Sequence, residues 1–182
     1  SESIDTASQG EVDELACSSD SSSEASDSGV VKAAESMKGW FYYVQSHPSS
    51  DLGSDLKHPS KSGGTDCSGF VWLALNKAGY NVPVNMGWYT MTMAQDAKGS
   101  HKYLKEVKSS DAKAGDVVIV NVGSGVSNNG HTAILLEDWK GRSTKIIEQG
   151  GGGDKVNEST VANAFYPALE GGEMVLARPI KK

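Results

Sequence analysis

The run Gly63-Gly64-Thr65-Asp66-Cys67-Ser68-Gly69-Phe70 closes a Ser/Gly/Pro-rich connection and opens a helix, which puts Cys67 in the first helical turn. A thiol there feels the positive end of the helix dipole and unpaired backbone N–H groups, and both favour thiolate, the nucleophilic form. A thiolate nucleophile also needs an imidazole in reach and a third group to orient that imidazole. Much later in the chain, Gly130-His131-Thr132-Ala133-Ile134 offers a histidine at the start of an apolar strand. The pattern therefore asks for a fold that brings a helix start and a strand start together.

Each of these residues also has a plain structural reading. Cys67, Val71, Ala74 and Ala78 share one helical stripe with Phe70 and Leu75 beside it, and small buried cysteines are common on such faces. Asp66 is an ordinary N-cap. Neither reading accounts for the small residues on both sides of the cysteine, which would let a substrate backbone approach the thiol. Of the other histidines, His47 and His58 lie in the polar connection and His101 follows Gly99-Ser100, so all three read as solvated. His131 can equally be a histidine satisfied at a strand end.

The orienter is sought on the next strand, Ile146-Ile147-Glu148-Gln149, which runs into four glycines. Side chains alternate faces along a strand, so only one of Glu148 and Gln149 can face His131. Glu148 is the stronger choice because a carboxylate stabilises imidazolium, whereas Gln149 could only fix the tautomer. A solvent-facing Glu at a strand end is the structural alternative.

Composition divides the chain. Eight of the 23 acids fall in residues 1–29, which hold many serines and no Lys or Arg. That segment has too little apolar side chain to offset its ordering entropy and reads as a disordered linker. Residues 30–182 then carry 15 acids against all 17 bases, a net of +2, which gives no support for a nucleic-acid partner. The two cysteines, Cys17 and Cys67, lack zinc-type spacing, and a disulfide between them would consume the nucleophile. No 18-residue apolar stretch is present, so nothing is expected to span a membrane. A chain that opens inside such a linker reads as continuing upstream into an export signal or a further domain.

From Val30, apolar residues at Val31, Ala34, Met37 and Phe41, with Val44, predict a helix ended by Pro48. A second helix runs from Cys67 to Gly79, and a shorter one spans Thr90–Ala97. Strands are predicted at Asp116–Val120, Thr132–Leu136, Thr144–Ile147 and Met174–Ala177. Helices first and an antiparallel meander afterwards imply an α+β domain with its helices on one face of the sheet.

Taken together, Asp66-Cys67-Ser68-Gly69-Phe70-Val71, Ala114-Gly115-Asp116-Val117-Val118 and Gly130-His131-Thr132-Ala133-Ile134 resemble the NlpC-type cell-wall hydrolases, papain-like cysteine peptidases and amidases that cut bacterial peptidoglycan. The likeness runs from about residue 32 to 178, and three motifs in order are more specific than any one. It implies a papain-like α+β domain over residues 30–182, with Cys67 as nucleophile and His131 as general base. The third polar position falls on Glu148, in an Ile-Glu-Gln context similar to that of the related CHAP enzymes. Asp66 and Ser68 match positions that help hold the stem peptide. The sequence departs from the family where a Pro-Tyr-x-Trp-Gly-Gly run commonly precedes the cysteine: only Gly63-Gly64 remains, Lys57-His58-Pro59-Ser60 replaces the rest, and Tyr42 or Tyr43 is left to line the pocket.

The resemblance implies a secreted or wall-associated peptidoglycan hydrolase, free of metal and organic cofactors, that cuts a stem-peptide amide through an acyl-enzyme. Its partner is the stem peptide, and the chain is expected to be a monomer tethered through its linker. The alternatives are an N-acetylmuramoyl-L-alanine amidase cutting between glycan and peptide, and a silent wall-binding domain of the same fold.

Overall fold

The computed structural model describes residues 29–45, 49–121, 130–150, 155–165 and 172–182. Helix α1 covers residues 29–35, and strands β1 (Tyr42–Tyr43) and β2 (Gly64–Thr65) pair in parallel just before helix α2 (Cys67–Lys77). A 3₁₀ turn at Val84–Met86 leads to α3 (Thr90–Lys98). There follow β3 (Leu104–Glu106), β4 (Val117–Asn121), β5 (His131–Leu135), β6 (Lys145–Glu148), β7 (Asn157–Thr160), a short helix α4 at residues 161–165, and β8 (Glu173–Pro179). The strands from β3 onward form one antiparallel sheet in the order β3-β8-β4-β5-β6-β7. Residues 1–28, where the linker and Cys17 are predicted, lie outside the described residues, as do His47 and Pro48.

The expected α+β architecture is present, with one addition. Val117, Ile119, Ile134 and Ile147 join the α2 and α3 side chains in the larger core. Val118, Val120, Ala133, Leu135 and Ile146 point the other way and pack with Val161 and Phe165 of α4. Both faces of the sheet are therefore covered. That is why β4 is buried at every position and reads as a continuous apolar run, not an alternating one. At the entry to β4, the fully buried Asp116 accepts a two-pronged hydrogen bond from Arg178 of β8, at 3.1 and 2.9 Å, which fixes the end of the sheet away from His131.

The first predicted helix is shorter than expected. It ends at residue 35, and the chain then turns, with Gly39 at φ 82° and Phe41 at φ 61°. The N–H of Gly39 bonds to the carbonyl of Val156, and that of Phe41 to Lys61. Tertiary hydrogen bonds thus replace helical ones while Met37 and Phe41 still reach the core. The buried stripe is Val30, Ala33, Ala34, Met37 and Phe41, with Val31 only half-buried.

The small residues around Cys67 have a reason different from the expected one. A Cβ on Gly64 would lie 2.5 Å from the Tyr42 ring, and one on Gly69 would lie 2.2 Å from Thr65 Oγ1. These glycines are buried and admit the protein's own chain, not a substrate backbone.

Candidate active site

The start of α2 is built by Asp66. In extended conformation, it accepts the N–H of Gly69 on its side-chain Oδ1 at 2.9 Å, and its backbone carbonyl accepts the N–H of Phe70. Ser68 Oγ donates to the same carboxylate oxygen at 3.4 Å. Both residues are almost fully buried, and their hydrogen bonds named here fix the helix start. Trp88 adds a strut from outside by donating its Nε1–H to the Ser68 carbonyl at 3.1 Å. Cys67 is a free thiol, partly exposed, at the end of this fixed turn.

Helix α2 packs on β5 and β6, and this brings the two later motifs to the cysteine. His131 opens β5, and its Nε2 lies 2.7 Å from Oε1 of Glu148 at the end of β6. Cys67 is the other neighbour that acts on the imidazole. It is Glu148, not Gln149, that meets the histidine, though both are fully buried. Glu148 Oε2 has no hydrogen-bond partner among the described residues, so His131 is the only partner seen there for this carboxylate. His58 and His101 are exposed.

Burial acts first on His131 and by itself would lower its pKa. Hydrogen bonds to Cys67 and Glu148, and the charges of both, outweigh that and push it up to about 9. The site thus holds its histidine as imidazolium at neutral pH, between a sulfur and a buried carboxylate. Phe165 of α4 lies against the imidazole at a centroid distance of 4.9 Å and excludes water from that side. Nothing in the polar stretch around residue 160 signals this role.

Tyr43 is the second neighbour that the sequence left open. It comes from strand β1, not from a helix as expected, and its ring passes over Gly150, where a Cβ would come within 2.4 Å. Burial, then the charges of Cys67 and Asp66, raise its pKa, so the phenol remains a donor near the thiol. Tyr42 turns away and donates to Asp51. Among the described residues, no group of three or more His, Cys, Asp or Glu is placed to hold a metal ion, and no helix is long and apolar enough to cross a membrane.

A Cys-His-Glu set at a helix start, on a sheet of this order, can be compared with known proteins. The family model described as NlpC/P60 family matches residues 52–169, which include all three side chains. The chain belongs to the NlpC/P60 family. The fold is similar to that of the peptidoglycan hydrolase RipB from Mycobacterium tuberculosis, with a TM-score of 0.55 and 22% identity over 89% of this chain and 68% of that one. It is also similar to the P60 domain of an antigen from M. avium subspecies paratuberculosis, with a TM-score of 0.51 and 20% identity over 87% of this chain and 98% of that one. No curated protein matches the chain.

Proposed function

We propose that this NlpC/P60 domain is a peptidoglycan hydrolase that cuts an amide bond of the stem peptide through Cys67. The observation that carries the reading is the His131–Glu148 pair at 2.7 Å, whose imidazole, with Cys67 and Glu148 as its neighbours, keeps its proton up to about pH 9. That is the charge state a thiolate–imidazolium nucleophile needs. RipB, of the same fold, is a peptidoglycan hydrolase, and a peptidoglycan substrate fits the family, which supports this reading.

In the first half-reaction the Cys67 sulfur attacks the amide carbonyl and a C–S bond forms. The carbonyl oxygen gains negative charge next to the start of α2, where the Cys67 N–H faces it. As the C–N bond breaks, His131 gives its proton to the departing amine. In the second half, the now neutral His131 takes a proton from water, and the hydroxide adds to the thioester. The C–S bond then breaks, releasing the acid and restoring thiolate and imidazolium. Glu148 holds the imidazole and stabilises its charge throughout. Tyr43 borders the thiol and is the side chain best placed to hold the peptide beside it. Asp66 and Ser68 act by fixing the helix start. The substrate puts the site of action in the cell wall, outside the membrane.

Mass spectrometry of purified muropeptides digested with wild type and Cys67→Ala tests this. New fragments from wild type alone support the reading and identify the bond. Intact muropeptides with both proteins, or equal cleavage by both, would sink it.

A further inference from the structure

Two indoles tie the segment before α3 to helix α2, and they do so in opposite directions. Trp72 of α2 donates its Nε1–H to the Pro83 carbonyl at 2.7 Å, and Trp88 donates its own to the Ser68 carbonyl at 3.1 Å. Ser68 and Trp72 are four residues apart on the helix, so both ties fall on one face of α2. Residues 83–88 therefore lie along that face as a strap fixed at both ends. The Trp88 ring is itself held: it is buried and packs edge-on against Tyr103 at a centroid distance of 6.0 Å.

Between the two ties the backbone is strained. Asn85 and Met86 are consecutive non-glycine residues in the left-handed region, at φ 56° and 52°. Asn tolerates that region, but a Met persists there only where its surroundings over-determine it. Met86 is fully buried in the larger core, its Sδ accepts from Ser49 Oγ at 3.2 Å, and its carbonyl accepts the Trp88 N–H at 2.7 Å. Ser49 Oγ in turn lies 2.7 Å from the hydroxyl of Thr65, two residues before Cys67. Strain held this firmly next to a nucleophile points to a role in placing it.

The other end of the strap reaches the histidine. Thr90, two residues after Trp88, opens α3 and is almost fully buried. It abuts Gly130, the residue before His131: a Cβ on Gly130 would lie 2.9 Å from the Thr90 Cβ and closer still to its hydroxyl. The Thr90 carbonyl also accepts the Asn121 amide at 3.2 Å, which ties it to the end of β4. Three consecutive residues, Trp88 to Thr90, thus run from the neighbour of the nucleophile to the neighbour of the base.

We infer that residues 83–90 form a strap that sets the separation of the Cys67 thiol and the His131 imidazole, with Trp88 as a positioning residue for the hydrolysis proposed above. Trp88 acts through the Ser68 carbonyl and holds the first turn of α2, while Thr90 holds the start of β5. A misplacement of about 1 Å in a reacting geometry can cost about 10²-fold in rate, so the loss of one such tie is large enough to read. This rests on the hydrolase reading.

Trp88→Phe keeps a ring in the same packing and removes only the N–H donor. Iodoacetamide alkylation of Cys67 is followed by peptide mass spectrometry, with Cys17 as reference in the same sample. At about pH 6, where a thiol needs the imidazolium to ionise, the Cys67 to Cys17 rate ratio falls about fivefold or more in the variant. At about pH 9 the ratio changes much less, because the thiol ionises unaided. Muropeptide kcat falls by a similar factor while KM is unchanged. A merely structural Trp88 would lower the melting temperature and leave the rate ratio and kcat at wild-type values, and that result overturns the strap. Should Trp88→Phe not fold, Trp72→Phe cuts the tie at Pro83 and carries the same expectation, and an unchanged ratio there also overturns it. The alkylation arm needs no substrate. A wild type inert on muropeptides overturns the hydrolase reading and leaves the strap to be decided by alkylation alone.

Discussion

Burial would by itself strip His131 of its proton, and the site spends two neighbours on preventing that. The pKa is raised from 6.5 to about 9, so the imidazolium contribution to stability is present in full below about pH 6.5 and is lost as pH rises through about 9. Activity that depends on a protonated His131 should therefore hold through neutral pH and fall on an alkaline limb near 9. Glu148→Gln keeps an acceptor for the ring N–H but removes the carboxylate charge, so the limb moves to lower pH. Profiles of kcat/KM against pH for the two proteins check this, and coincident limbs would count against Glu148 as the source of the charge. A second expectation concerns the same pair. His131→Ala strands a buried carboxylate whose only partner among the described residues is His131, so it should cost about 3–5 kcal/mol, more than Cys67→Ala, in urea unfolding at pH 7. Equal unfolding free energies would mean that Glu148 simply takes up a proton.

The N-cap of α2 is the element on which the nucleophile's position depends. Asp66→Ala should cost about 1 kcal/mol and lower turnover, because the Gly69 N–H loses its acceptor and the first turn frays. Asp66→Asn retains a side-chain oxygen at the cap and should recover most of both losses. Thermal melts and muropeptide turnover on the two variants decide between this and direct substrate contact, for which Asn would be as damaging as Ala. What the sequence disclosed at this scale follows burial. α2, β4, β5 and β6 were legible because apolar runs next to Gly and Asp turns leave little choice of structure. Strand alternation narrowed the partner of His131 to Glu148 or Gln149. The ability of a carboxylate to stabilise imidazolium, with the Ile-Glu-Gln context, favoured Glu148, which is the one in contact. β7, Asn157-Glu158-Ser159-Thr160, carries no apolar signal and exists because β6 supplies its hydrogen bonds. The early end of α1 was equally hidden, since it depends on partners at Lys61 and Val156. Phe165 and Tyr43 reach the site through those non-local elements, which is why the motifs never pointed to them.

At the scale of the molecule, the sheet is a slab that needs cover on both sides, and the chain before the cysteine provides part of it. Val30, Ala33 and Ala34 from α1, then Met37 and Phe41 from the turn after it, are all buried in or beside the α2 core. The matched family region begins at residue 52, so these residues lie before it. The acidic segment before them has the opposite character, with eight acids, many serines and little apolar surface to bury. Two truncations separate the two segments. A protein beginning at Ser28 keeps every buried side chain named above, and should match the full chain in melting temperature and in turnover of soluble muropeptides. A protein beginning at Tyr42 loses all five, two of them large. Removal of one large buried side chain typically costs about 2–5 kcal/mol, comparable to the whole stability of a marginal domain. It should therefore be unfolded or inactive at 25 °C, by circular dichroism and by muropeptide turnover. Loss of turnover already at the Ser28 truncation would show that the acidic segment packs on the domain, and the boundary near residue 29 would have to move toward the N-terminus.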